Sequence, residues 1–175
     1  AFAAKLKKAM SELQLGSGFA ADTTQGPLID GAALDKVQRL VADAVGKGAK
    51  VLIGGQPSGL GGTYYEPTLL GDVQPNMQIA QEEVFGPVAP LFRFETEAQA
   101  VAMANDTEFG LAAYFYSRDI GRVWRVSGRL QYGMVGINSG VISTAVAPFG
   151  GVKQSGQGRE GGHQGIEAYL DSKYL

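Results

Sequence analysis

The chain has 175 residues, 45% of them apolar, with a formal net charge of -2 and a pI near 5.4. That length can bury roughly 70% of the unfolded surface in one globular unit. The scattered lysines and arginines leave no electrostatic footprint for a nucleic-acid backbone or an anionic membrane.

Cysteine is absent, which excludes disulfides, thiolate metal sites and any thiol nucleophile supplied by this polypeptide. One histidine, His163, leaves only carboxylates to complete a zinc shell and offers a single candidate base for a serine relay.

In chain order, Phe2, Leu6, Ala9, Met10 and Leu13 mark a helix over 1–15. Its spaced lysines lack the apolar centre of a signal peptide, so a soluble, unprocessed, cytoplasmic chain is expected. Leu34, Val37, Leu40, Val41, Ala44 and Val45 form the apolar stripe of a second helix ending near Gly46 and Gly48. Lys50–Ile53 reads as a buried strand, and 54–62 as a surface loop. A strand over 88–94 follows.

A third helix starts at Thr96, which has capping-box spacing with Gln99, and turns Ala98, Val101 and Ala102 to the core. After a strand over 111–116 comes a helix using Ile120, Val123, Trp124, Ser127 and Leu130, capped by Ser117 or Asp119. A strand over 134–137 completes the pattern. Because the apolar runs lack polar alternation and alternate with helices, the fold expected is α/β, a mainly parallel, open twisted sheet with flanking helices. Ligands belong near the carboxyl ends of such strands.

Glu82-Glu83-Val84-Phe85-Gly86-Pro87 places a carboxylate two residues before an aromatic ring at a turn held by Gly-Pro. In extended backbone Glu83 and Phe85 face one side, where a carboxylate suits a ribose diol and a ring suits a flat heterocycle. The same residues also fit an acidic surface turn with a core phenylalanine. Residues 156–161 spell GxGxxG, but they follow no strand directly and lack an acidic residue about 20 positions on, so they read as a loop packed closely on other backbone. A hydrolase using Ser143 or Ser155 would need His163 within hydrogen-bond reach.

Glu82–Pro87, the Ala104–Leu111 run and Pro148-Phe149-Gly150-Gly151-Val152-Lys153-Gln154-Ser155-Gly156 occur in one order, and together they resemble the aldehyde dehydrogenase superfamily over essentially the whole chain. Thr24–Ile29 and Gly165–Leu170 are most similar to the succinate-semialdehyde dehydrogenases within it. The resemblance implies that Glu83 holds the nicotinamide ribose of NAD or NADP and that Phe85 packs beside the nicotinamide. Phe149 would line the aldehyde tunnel, and Ser143 would hydrogen-bond the distal carboxylate of a semialdehyde. Glu160 matches a proton-relay glutamate, and Arg159 with Asp171 looks like an ion pair supporting the loop.

That family's reaction needs a cysteine thiolate, which this chain lacks. The resemblance therefore implies the carboxyl-terminal part of the catalytic domain over 1–168, inactive alone and binding dinucleotide weakly or not at all. Residues 169–175 would begin an oligomerisation strand that invites a homo-oligomer. A stand-alone, non-catalytic module that binds a nucleotide or a protein is the other reading.

Overall fold

The N-terminal pattern folds as α1 (Phe2–Ser11), shorter than the 1–15 expected. The chain leaves the helix because Gln14 N donates to Thr24 Oγ1 at 2.7 Å and Leu15 bridges Gln25, tying residues 14–25 into a loop. Asp30 then caps α2 (Gly31–Gly46), its Oδ1 accepting from Ala33 N at 2.7 Å. Val37, Leu40, Val41 and Ala44 are buried along one stripe, while Val45 at its edge is exposed. Past the helix end the chain turns at Gly48, whose φ of +104° suits a residue without Cβ.

Strands β1 (Lys50–Ile53), β2 (Thr68–Val73) and β3 (Val88–Phe92) form a sheet in the order β1-β2-β3. β1 pairs with β2 antiparallel across the 54–67 loop; β2 and β3 are parallel, joined by 74–87 with one 3₁₀ turn at Gln78–Ala80. The stripe of α2 closes with Tyr65, Leu70, Val73, Met77 and Ile79 into a core. α1 lies against β1 and β2 but buries none of its residues.

The second half holds α3 (Glu97–Asn105), β4 (Ala112–Phe115), α4 (Ile120–Ser127) and β5 (Met134–Ile137). β4 and β5 pair in parallel, Ala112 with Met134 through Phe115 with Ile137, with α4 as the crossover. Thr96 Oγ1 accepts from Gln99 N, and Gln99 Oε1 accepts from Glu95 N at 2.9 Å, a capping box displaced by one residue. Asp119 caps α4, and Ser117 Oγ accepts from Asp119 N.

In the computed structural model, which describes residues 1–175, the chain divides into two compact units, Ala1–Arg93 and Phe94–Leu175, where length alone suggested one. The α/β class stands, and two of the three strand pairings are parallel, but the strands form two short sheets rather than one open sheet. Two helix faces differ from expectation. Val101 is buried on α3, whereas Ala98 and Ala102 are exposed; α4 buries Val126 and leaves Ile120 and Trp124 in solvent. The rotation of α4 follows from Glu97, to which Arg122 Nε, Arg125 Nε and Arg125 Nη2 all donate at 2.9–3.0 Å.

That cluster gives a pH signature. Hydrogen bonds from Arg125 and then Arg122 lower the Glu97 carboxyl from its ordinary 4.5 to about 2. A depressed folded-state value means the stabilisation is complete above 4.5 and is lost as pH falls toward 2. Acid titrations of wild type and Glu97→Gln, followed by circular dichroism, should therefore converge as pH falls through that window. Parallel curves across it would show that the clamp contributes nothing.

Within this chain alone, Gln164–Tyr169 is a 3₁₀ helix and 170–175 forms no strand, so the oligomerisation strand expected from 169–175 is unpaired here. A strand needs a partner edge, and no strand of this chain pairs with these residues.

Candidate functional site

In the first unit the turn at residues 82–87 is seated on α2 by a polar rail. Arg39, Asp43 and Lys47, four residues apart, lie on one helix face. Arg39 donates to Gln78 Oε1 and both Glu82 oxygens, Asp43 Oδ2 accepts from Gln78 N at 2.8 Å, and Lys47 Nζ donates to Asn76 O at 3.0 Å. The Arg39 hydrogen bond lowers the Glu82 pKa, and Lys47 with the Gln78 amide lowers that of Asp43, so both carboxylates stay charged. Gly86 meets the rail helix so closely that a Cβ there would fall 2.6 Å from Val37 Cγ2. Pro87 O accepts from Thr68 N at 2.8 Å, fixing the exit into β3.

Val84 packs against the core, and its neighbours Glu83 and Phe85 are exposed. The Phe85 ring is 78% exposed, so it is no core phenylalanine. The turn is not simply extended: Phe85 has φ +49°, a left-handed conformation that costs a non-glycine residue on the order of 1–3 kcal/mol. No side chain of this chain hydrogen-bonds Glu83. A strained, exposed ring beside an unpaired carboxylate fits a flat heterocycle with an attached diol.

The second unit carries Ser143, Phe149 and Glu160. Phe149 and Glu160 exchange backbone hydrogen bonds of 2.7 Å each way, an antiparallel bridge that closes the intervening loop. Both line a cavity of about 750 Å³ with Ser155, Arg159, Tyr169 and glycine backbone. Ser143 is exposed and is not among its lining residues. Arg159 does not pair with Asp171; its guanidinium turns onto the loop and donates to the carbonyls of Gly151 and Gly158 at 2.9 and 2.6 Å. Ser155 Oγ accepts from Gly110 N, and neither it nor Ser143 hydrogen-bonds His163, so no serine relay forms.

Of the 156–161 glycines only Gly161 packs closely on other backbone; Gly156 and Gly158 have open space beside them and are required by their backbone angles alone. Gly156, Gly158 and Gly161 have φ of +101°, +80° and +69°, and a Cβ on Gly161 would meet Ala147 O at 2.9 Å. No group of side chains is arranged to hold a metal ion, and no helix is long and apolar enough to cross a membrane.

The profile of the aldehyde dehydrogenase family matches residues 1–175. The chain belongs to the aldehyde dehydrogenase family. It is 59% identical over 175 residues to a glutarate-semialdehyde dehydrogenase of Pseudomonas aeruginosa, covering 100% of this chain and 36% of that protein. To the succinate-semialdehyde dehydrogenase [NADP(+)] of Escherichia coli it is 56% identical, over 99% of this chain and 36% of the relative. The crystal structure of succinate-semialdehyde dehydrogenase from Burkholderia pseudomallei superposes with a TM-score of 0.97 at 60% identity, covering 99% of this chain and 36% of that one. The chain therefore spans 36% of the length of these relatives.

As an aldehyde dehydrogenase chain, it holds its motif residues on separate supports. Glu83 and Phe85 ride on α2 in the first unit; Phe149 and Glu160 share one cavity in the second. The rail of Arg39, Asp43 and Lys47 escaped the sequence reading, although its spacing was visible beside the apolar stripe.

Proposed function

We propose that this chain is the carboxyl-terminal part of the catalytic domain of a cytoplasmic, homo-oligomeric, NAD(P)-dependent enzyme. Its substrate is a semialdehyde, succinate semialdehyde first, oxidised to the carboxylic acid, and the chain is inactive without the rest of the protein. The observation that carries this reading is the exposed, left-handed Phe85 beside the unpaired Glu83, in a chain matched end to end by the family profile. Relatives named for succinate and glutarate semialdehydes support the substrate class.

Each residue has a role in that reading. Glu83 accepts from the ribose hydroxyls, and Phe85 packs on one face of the nicotinamide, holding it where a hydride can reach it. NAD or NADP supplies the hydride acceptor. Phe149 lines the aldehyde's path, Ser143 donates to the distal carboxylate, and Glu160 moves a proton near the acyl carbon. The attacking thiolate has to come from outside these 175 residues, since they contain no cysteine.

The test is dinucleotide reduction followed at the nicotinamide absorbance. The whole protein should reduce NAD or NADP with succinate semialdehyde, whereas the 175-residue chain should show no turnover, because losing the nucleophile removes the covalent path. Chromatography of the whole protein should give an oligomer that truncation after Ala168 dissolves. Turnover by the purified chain, or none by the whole protein with any semialdehyde, would sink the proposal.

A further inference from the structure

Two residues outside the motif roles have backbone angles that need an explanation. Asn138 and Lys153 are non-glycine residues with φ of +56° and +55°, and they bracket the segment that contains Ser143 and Phe149. Each is held by side-chain bonds to distant backbone. Asn138 follows β5, and its amide spans the Ser117 backbone: Oδ1 accepts from Ser117 N at 2.8 Å and Nδ2 donates to Ser117 O at 2.9 Å. Lys153 Nζ donates to Asn105 O and Thr107 O, both at 2.9 Å, where α3 ends and its carbonyls lack helical partners. Next to it, Gln154 N donates to Glu108 O, Val152 N to Gly110 O, and Ser155 Oγ accepts from Gly110 N.

Between these ends Phe149 is held by its bridge to Glu160, while residues 139–146 are thinly held. Ser139 and Val141 bond each other, Gly162 N donates to Ala145 O, and most side chains from 139 to 146 are exposed. The placement of 139–146 is therefore decided where it is anchored, at Asn138 and at the bridged stretch from Phe149 to Lys153. We propose that Asn138 and Lys153 are positioning residues that fix the aldehyde-side loop, setting where Ser143 and Phe149 stand. Neither touches substrate; each acts through the loop it anchors. The inference rests on the proposed role of that loop, and it adds which groups set its preference for a substrate with a distal carboxylate.

Hydrogen exchange and kinetics test it separately. Asn138→Gly keeps the left-handed angle available while deleting the amide bridge, and Lys153→Met deletes the ammonium while keeping much of the stem. In the 175-residue chain each should raise amide exchange across 139–149 by about tenfold, and Lys153→Arg should restore protection. In the whole protein each should lower kcat/KM for succinate semialdehyde about tenfold, through KM, with the dinucleotide KM moving less than about twofold. Butanal, which lacks the distal carboxylate, should lose less. Unchanged exchange in both variants, or equal losses for both aldehydes, would overturn the inference. A whole protein that oxidises no aldehyde would instead refute the proposed function, and the exchange measurement would still decide the clamp.

Discussion

Leu40→Ala should lower the stability of the first unit by about 3 kcal/mol, the usual cost of deleting a buried leucine side chain together with the cavity it leaves. Leu40 is completely buried, in a core where α2 meets Tyr65, Leu70 and Met77. A domain's whole stability is about 5–15 kcal/mol, so this loss is a large part of it. Urea titration should show the midpoint falling, and amides of α2 that open only on global unfolding should exchange about a hundredfold faster. Val45→Ala supplies the contrast. It sits on the same helix but is 43% exposed, and its change should stay within about 0.5 kcal/mol. Equal costs at the two positions would show that the stripe is not what holds α2 down. The consequence reaches the candidate site, because Gly86 rests on Val37 and the rail rises from the same helix.

The strands expected to be buried are half-open, with Val51 43% exposed in β1 and only Gly136 buried in β5, so their short apolar runs marked their place but not their burial; the 3.6-residue stripe made α2 fully legible. β2 was not. Its Gly71 and Asp72 look like turn residues, yet Gly71 is there because a Cβ would crowd Leu52 at 3.2 Å, and Asp72, at φ +55°, sits where the pairing with β3 shifts register. On α4 the apolar spacing was right for Val123, Ser127 and Leu130, which are half-buried, and wrong for Ile120 and Trp124, which are exposed. Charge decided the rotation instead, since both arginines of that helix reach Glu97, a partner more than twenty residues away that no local pattern reveals. The motif residues were legible as chemistry before they were legible as geometry. The i, i+2 argument for Glu83 and Phe85 assumed extended backbone, and the left-handed angle at Phe85 is set by how Gly86 seats on α2, which spacing cannot show. The supposed partner of Arg159 failed for a similar reason: the loop folds its own Gly151 and Gly158 carbonyls onto the guanidinium, an arrangement that spacing cannot show.

Gly133→Ala is the smallest substitution expected to damage the aldehyde-side loop. Gly133 leads into β5, its N donating to Gly110 O at 3.0 Å, and it has no left-handed angle to excuse the glycine. Proximity is the reason. A Cβ there would lie 2.0 Å from Gly150 O and 2.9 Å from Gly151 Cα, all backbone, so no side chain can swing aside to make room. The 149–151 backbone must shift by about 1 Å to regain ordinary contact distances. Phe149 and its bridge to Glu160 move with it. Overpacking of this kind costs about 1–3 kcal/mol, and a misplacement of that size can lower a reaction rate about 100-fold. Thermal melting of the 175-residue chain should show the first effect, and kcat/KM of the whole protein for a semialdehyde the second. Gly46→Ala tests whether any added methyl does the same: nothing lies within 4 Å of its Cβ, so in the last turn of α2 it should be neutral or stabilise by up to about 1 kcal/mol. If Gly133→Ala melted with wild type and kept full turnover, the close approach of these two backbones would have no bearing on where Phe149 stands.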